Sequence, residues 1–185
     1  MDLPGHPNHL DRLAERARLG DQAAWEAFIV ASYDAVRRMC AAMVDRQSAE
    51  DLAQETFTRS VRALARFRGE CSARAWILSI AYRVCADELR YLTRRREHQD
   101  DGGRHRDRED RRVPDVAEQV AVDDLLARLE PHRRAAFVLT QILGMPYDAA
   151  AVVCQCPPGT IRSRVARARD DLVAMTSVQD VGRRA

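Results

Sequence analysis

The side chains in this sequence best placed to do chemistry are arginines. All 30 of its Lys-plus-Arg residues are arginine, in 185 residues of net charge +2. A guanidinium keeps its charge at any physiological pH, and its planar fork of donors fits a phosphate or the edge of a guanine. Two stretches with helical spacing hold dense sets: Arg83, Arg90, Arg94, Arg95 and Arg96 in one, Arg162, Arg164, Arg167 and Arg169 in the other. Groups suited to making and breaking bonds are scattered. His6, His9, His98, His105 and His132 have no evident partner, whereas hydrolysis needs a poised nucleophile and base, or carboxylates gathered on a metal. Cys40, Cys71, Cys85, Cys154 and Cys156 are odd in number and dispersed, against a disulfide framework. Cys154 and Cys156 make a CxC without the second pair that zinc requires, and Cys154 reads as a small buried hydrophobe. The expectation is a binding protein with no catalytic residue, no metal and no cofactor. With so small a net charge, nucleic acid must be held by local patches.

The second arginine set has a clear frame. Residues 147–154 form an expected helix, broken at Gln155-Cys156-Pro157 because proline clashes with a continuing turn and lacks an N–H. Pro158 suits the first position of a new helix. There Ile161, Val165, Ala168 and Leu172 share one apolar face, leaving Thr160, Arg162, Ser163, Arg167 and Arg169 outside it. A helix, a tight turn and a basic second helix are the parts of a DNA-reading helix-turn-helix. The alternative on pattern alone is an amphipathic surface helix with solvated arginines.

Few aromatics and helical spacing throughout make the chain all-α. It divides into two small helical domains joined by a flexible charged linker. Residues 1–20 read as a polar tail. Residues 21–96 carry three helices: one capped by Asp21, one opened by Ser48 with Leu52, Phe57, Val61 and Leu64 inward, and one from Ser72 with Trp76, Ile77, Ile80, Val84 and Leu89 inward. On the second of these, Asp51, Gln54, Glu55 and Thr58 make a separate acidic and polar stripe, which chemistry alone reads as a solvated face near a helix N-terminus. On the third, tyrosines alternate with arginines, a mixture suited to stacking on melted bases and tracking phosphates. Residues 97–115 mix both charges with almost nothing apolar and read as the linker. Residues 116–175 contain helices from Val122 to Leu129, from Pro131 to Gly144, and the helix pair. Residues 176–185 read as a frayed tail. No apolar run approaches the roughly 18 residues that span a bilayer. The N-terminus lacks the basic flank and apolar core of a secretory signal. The expected location is cytoplasmic, without a membrane partner.

Three ordered motifs in this frame resemble the extracytoplasmic-function (ECF) sigma factors of bacterial RNA polymerase. AEDLAQETFTRSVRALARFRG is similar to the family's hallmark helix, and SARAWILSIAYRVCADELR to the segment that follows it. LEPHRRAAFVLTQILGMPYDAAAVVCQCPPGTIRSRVARARDDL is similar to its C-terminal module, so the likeness covers about residues 22–175. The resemblance implies that Asp51, Gln54 and Glu55 dock on the β′ coiled coil of core RNA polymerase, reversing the solvated-face reading. It implies that Tyr82, Arg83, Asp87, Arg90 and Arg94 open and read the promoter −10 element. It also implies that Thr160, Arg162, Ser163 and Arg164 face the −35 major groove while Arg167 holds phosphate. Arg83 stands where the family often has Asn. The implied partners are core polymerase (β′ and β), promoter DNA and, where a cognate one exists, an anti-sigma factor. The rival is a self-sufficient helix-turn-helix regulator bound to duplex operator DNA. It would need a dimerisation surface, and no sustained heptad pattern supplies one.

Overall fold

The computed structural model describes residues 9–100 and 117–182, and every regular element in them is a helix. In order these are α1 (His9–Arg18), α2 (Gln22–Met43), α3 (Ala49–Leu64), α4 (Ala73–Asp100), α5 (Ala117–Ala127), α6 (Pro131–Phe137), α7 (Tyr147–Cys154) and α8 (Pro158–Gly182). A short π-helical stretch, Val138–Ile142, continues α6. The bulk of the linker, residues 101–115, lies outside the described residues, and residues 97–100 still belong to α4.

Local chemistry accounts for most helix ends. Asp21 sits in an extended conformation before α2, and its Oδ1 accepts from Ala24 N at 2.9 Å. Ser72 Oγ accepts from Ala75 N at 3.2 Å at the start of α4. Ser48 makes no such cap. Its own N–H donates to Asp45 Oδ1 at 2.7 Å instead, so the order before α3 comes from the preceding loop. Gly69 and Gly144 turn the chain with φ of +73° and +65°, where a side chain would be strained.

Two expected tails are helical. Leu13, Ala14 and Ala17 bury one side of α1 against the neighbouring helices, so the segment is a packed element despite its charge. At the other end α8 runs through 176–182, because Leu172 and Met175 pack beside Leu126, Leu129 and Ala168.

In the first half, Phe28, Val36, Met39, Ile77 and Leu78 are fully enclosed between α2 and α4. Trp25, Phe28, Trp76 and Phe67 form a chain of ring contacts, with centroids 5.0–6.1 Å apart. Val61, expected inward on α3, is 56% exposed, and Val122 on α5 is 44% exposed. Ala53, Thr56 and Ser60 take the inward positions, with Thr56 and Ser60 satisfying their hydroxyls on the carbonyls of Leu52 and Phe57.

The two halves are packed on each other. One apolar cluster runs from α1–α4 into α6, the π stretch, α7 and α8, through residues such as Leu139, Met145, Ala150 and Ile161. Polar contacts cross the same junction. Arg74 Nη2 donates to Leu143 O at 2.6 Å, and Tyr82 Oη lies 3.0 Å from His132 Nδ1. Arg46 and Asp123 pair at 3.8 Å. Arg134 is the most telling, a guanidinium only 6% exposed. Its hydrogen bonds go to the carbonyls of Met43 (2.7 Å), Leu129 (3.1 Å) and Ala127. Met43 ends α2, so a cation from the second half meets the negative end of a helix in the first. Burial lowers the Arg134 pKa, but the guanidinium starts high enough to stay charged.

Candidate nucleic-acid interface

The C-terminal pair of helices is built as its sequence requires. Ala150, Ala151 and Val153 bury the inner side of α7, and Ile161, Val165 and Ala168 anchor α8 at 0–1% exposure. The joint between them has a feature that the sequence does not announce. Gln155 closes α7 in the left-handed region, at φ +51° and ψ +48°, and its N–H returns to Val152 O. Cys156 N donates to Ala151 O at 3.1 Å, so the turn is complete before the two prolines begin. Pro158 then opens α8.

With Ile161, Val165 and Ala168 fixed inward, helical geometry leaves Arg162, Ser163 and Arg167 exposed. Ser163 Oγ donates to Thr160 O at 3.0 Å, and Thr160 is half-buried. Arg164 is half-buried too, with Nη1 3.6 Å from Cys156 Sγ. The −35 candidates therefore divide: Arg162, Ser163 and Arg167 face solvent, while Thr160 and Arg164 lie against the turn. Burial pushes the Cys154 thiol up to about 12, as befits the apolar filler its position implied.

The α4 candidates divide differently. Tyr82, Arg90 and Arg94 line a cavity of about 690 Å³ whose other wall includes Met43, Glu130, Pro131 and His132. Tyr82 is half-buried at the junction of the two halves, and desolvation raises its phenol pKa. Arg83 is exposed and is not part of that lining. Asp87 sits between Arg59 on α3 and Arg90 on α4, accepting from Arg59 Nη1 at 2.8 Å and from Arg90 Nη2. Those bonds, Arg59's first, hold its carboxyl below the usual range.

The stripe lies on α3, clear of α8 and joined to the α4 set through Arg59. Asp51, Gln54, Glu55 and Thr58 are all exposed, while Leu52, Ala53, Thr56 and Phe57 face the core. Glu55 Oε1 accepts from Arg59 Nε at 2.7 Å. Two features were beyond sequence reasoning. Glu130 caps α6, taking the N–H groups of both His132 and Arg133 at 3.0 Å, although glutamate is not among the favoured capping residues. Arg59 joins α3 to α4 through a bond to Asp87 that spans 28 residues, which helical periodicity does not reveal.

Comparison with known proteins fits this arrangement. Residues 28–95 match the model of Sigma-70 region 2, and residues 119–172 match that of Sigma-70 region 4. The chain is 46% identical over 177 residues to the ECF RNA polymerase sigma factor SigC of Mycobacterium tuberculosis, covering 91% of this chain and 92% of the relative. It is 30% identical over 174 residues to the RNA polymerase sigma-H factor of Pseudomonas aeruginosa, covering 86% and 89%. Among solved structures, CnrH in complex with the cytosolic domain of CnrY superposes with a TM-score of 0.75, at 24% identity over 92% of this chain and 99% of that one. RpoE of Bartonella quintana, solved with the anti-sigma factor NepR, gives 0.67 at 24% identity over 83% and 96%. These two likenesses speak to the fold, and the sequence relatives to the family. With both regions present in order and a relative at 46% identity over nearly its whole length, the chain belongs to the ECF RNA polymerase sigma factors.

Proposed function

We propose that this sigma factor works by bipartite reading, with each half of the molecule taking one promoter element and α3 taking the polymerase. Asp51, Gln54 and Glu55 form the docking stripe for core RNA polymerase. Tyr82, Arg83, Asp87, Arg90 and Arg94 meet the −10 element as it melts. Flipping a base from the duplex costs a few kcal/mol, offset by stacking and hydrogen bonds to its exposed edge. Arg162, Ser163 and Arg167, with Thr160 and Arg164 at the turn, meet the −35 element, where a bidentate arginine–guanine contact discriminates by about 1–3 kcal/mol. No bond is made or broken by the chain itself, and it acts where the polymerase is, in the cytoplasm.

The observation that carries this reading is the co-occurrence, on one chain, of an exposed acidic stripe on α3 and an exposed arginine face on α8. A self-sufficient regulator has use for the second and none for the first. An anti-sigma factor is a fitting further partner, since RpoE was solved with one. Run-off transcription with core polymerase on a promoter-fragment library tests the proposal. Transcripts above the core-only background are expected, and Asp51→Arg or Glu55→Arg should abolish them while leaving the fold intact. Tight operator binding by the free chain, with no stimulation of polymerase, would sink it.

A further inference from the structure

Four charged side chains of alternating sign run from the docking stripe to the −10 face: Glu55, Arg59, Asp87 and Arg90. Arg59 is the link between helices. Its Nε donates to Glu55 Oε1 at 2.7 Å on its own helix, and its Nη1 donates to Asp87 Oδ2 at 2.8 Å on α4. The second oxygen of Asp87 accepts from Arg90. The hydrogen bonds from Asp87 and Glu55 both raise the Arg59 pKa, so the guanidinium is shared between the two carboxylates.

We propose that Arg59 is a positioning residue that passes polymerase docking at Glu55 on to the promoter-binding arginine Arg90. The proposal rests on the roles assigned above to Glu55 and Arg90. A guanidinium divided between two carboxylates satisfies each less fully than one committed to a single partner. When a docking partner draws Glu55 away, Arg59 is left with Asp87 alone. Asp87 then holds Arg90 less firmly, and Arg90 becomes available to a phosphate or a base. Binding linkage requires the reverse effect too: promoter DNA that takes Arg90 must tighten docking at Glu55 by the same factor. These side chains are 43–72% exposed, so the coupling is a modulation of a few-fold and not an on–off switch.

The test uses the full chain, core polymerase, a fork-junction DNA with a single-stranded −10 segment, and a duplex carrying only the −35 element. In Arg59→Gln, Asp87 keeps Arg90 to itself. The holoenzyme should lose about 3–10-fold in fork affinity, with core affinity within about twofold and −35 duplex binding unchanged. The salt slope for the fork should fall in Arg59→Gln by part of the about 0.7–0.9 that one whole phosphate contact contributes, and by all of it in Arg90→Ala. The double variant should be no worse than Arg90→Ala alone, because without Arg90 there is no contact left for Arg59 to position. Arg59→Lys, which keeps the charge but not the fork, should fall in between. Additive effects of the two substitutions overturn the proposal, as does an Arg59→Gln holoenzyme with unchanged fork affinity. Equal losses in core, fork and −35 binding would mean a merely structural role, and overturn it too. A wild-type chain that confers no fork affinity on core polymerase overturns the sigma-factor reading itself, and this proposal with it.

Discussion

On the exposed face of α8, Arg162 and Arg167 hold different positions along the helix and are assigned different work. Arg162 belongs to the first turns, the part of a recognition helix that reaches base edges, and Arg167 follows one and a half turns later. Arg162→Ala should therefore weaken binding to the preferred −35 sequence by about 1–3 kcal/mol and flatten the preference at one position. Arg167→Ala should weaken all sequences alike and reduce the salt slope by about 0.9. Holoenzyme titrations on a panel of −35 variants at several salt concentrations separate the two outcomes. Cys154 behind them should be inert. With its thiol pushed up to about 12 from 9.0, it stays protonated at neutral pH and should resist alkylation in the folded protein. A raised thiol pKa contributes stability that is complete below about pH 9 and is lost as pH climbs towards 12. The melting temperature of the wild type should accordingly fall more steeply across that interval than that of Cys154→Ser. Equal slopes would mean that the thiol is not buried.

At the scale of the element, the turn between α7 and α8 combines what the sequence states with what it withholds. Both helix limits follow from local chemistry, since Pro158 suits a first turn and Ile161, Val165 and Ala168 repeat at helical spacing. The left-handed Gln155 does not, because glycine or asparagine normally marks that position. An L-residue there costs roughly 1–2 kcal/mol, of which glycine returns part through its larger unfolded-state entropy. Gln155→Gly should stabilise the protein by less than about 1 kcal/mol, a rise of about 1–4 °C in melting temperature, with DNA binding retained. A fall in stability would show that the Gln155 side chain holds the turn. The same contrast runs through the fold. Helices with a long apolar repeat and a sequence-marked cap, such as α2 behind Asp21, are legible from spacing alone. Helix α1 and the end of α8 are not, because each carries few apolar residues and is held by packing on other helices: α1 on α2 and α4, Met175 beside Leu126 and Leu129. The site divides along the same line. The exposure of Asp51, Gln54, Glu55, Arg162 and Arg167 could be read from helical periodicity. That Tyr82 meets His132, and that Arg59 meets Asp87, could not, since neither partner lies on the same helix.

At the scale of the molecule, the packing of the two halves limits what the free chain can do. A compact protein of this length has a radius of gyration of about 16 Å. Promoter elements centred near −10 and −35 lie about 25 base pairs apart, some 85 Å along the duplex at about 3.4 Å per base pair. With α4 and α7 in contact, the two readers cannot reach both elements at once. Tyr82, moreover, is engaged with His132 of the other half. Reading both elements therefore requires the halves to part, which breaks the bonds from Arg74 to Leu143 and from Arg134 to Met43 and exposes the shared apolar cluster. Hydrogen bonds from charged donors are worth about 1.5–3 kcal/mol each, so opening needs a partner that supplies the energy. The stripe on α3 is exposed in the packed form, so the docking proposed for it would let polymerase bind first and supply that energy. Dyes placed by non-cysteine chemistry at the exposed positions Val61 and Val173 should transfer energy efficiently in the free protein. Transfer should fall once core polymerase and promoter DNA are added. Arg74→Ala, by removing one bond across the junction, should shift that fall to lower polymerase concentrations. Transfer that stays constant at saturating polymerase and promoter would mean that the packed form is itself the reading form, and that the promoter bends to meet it.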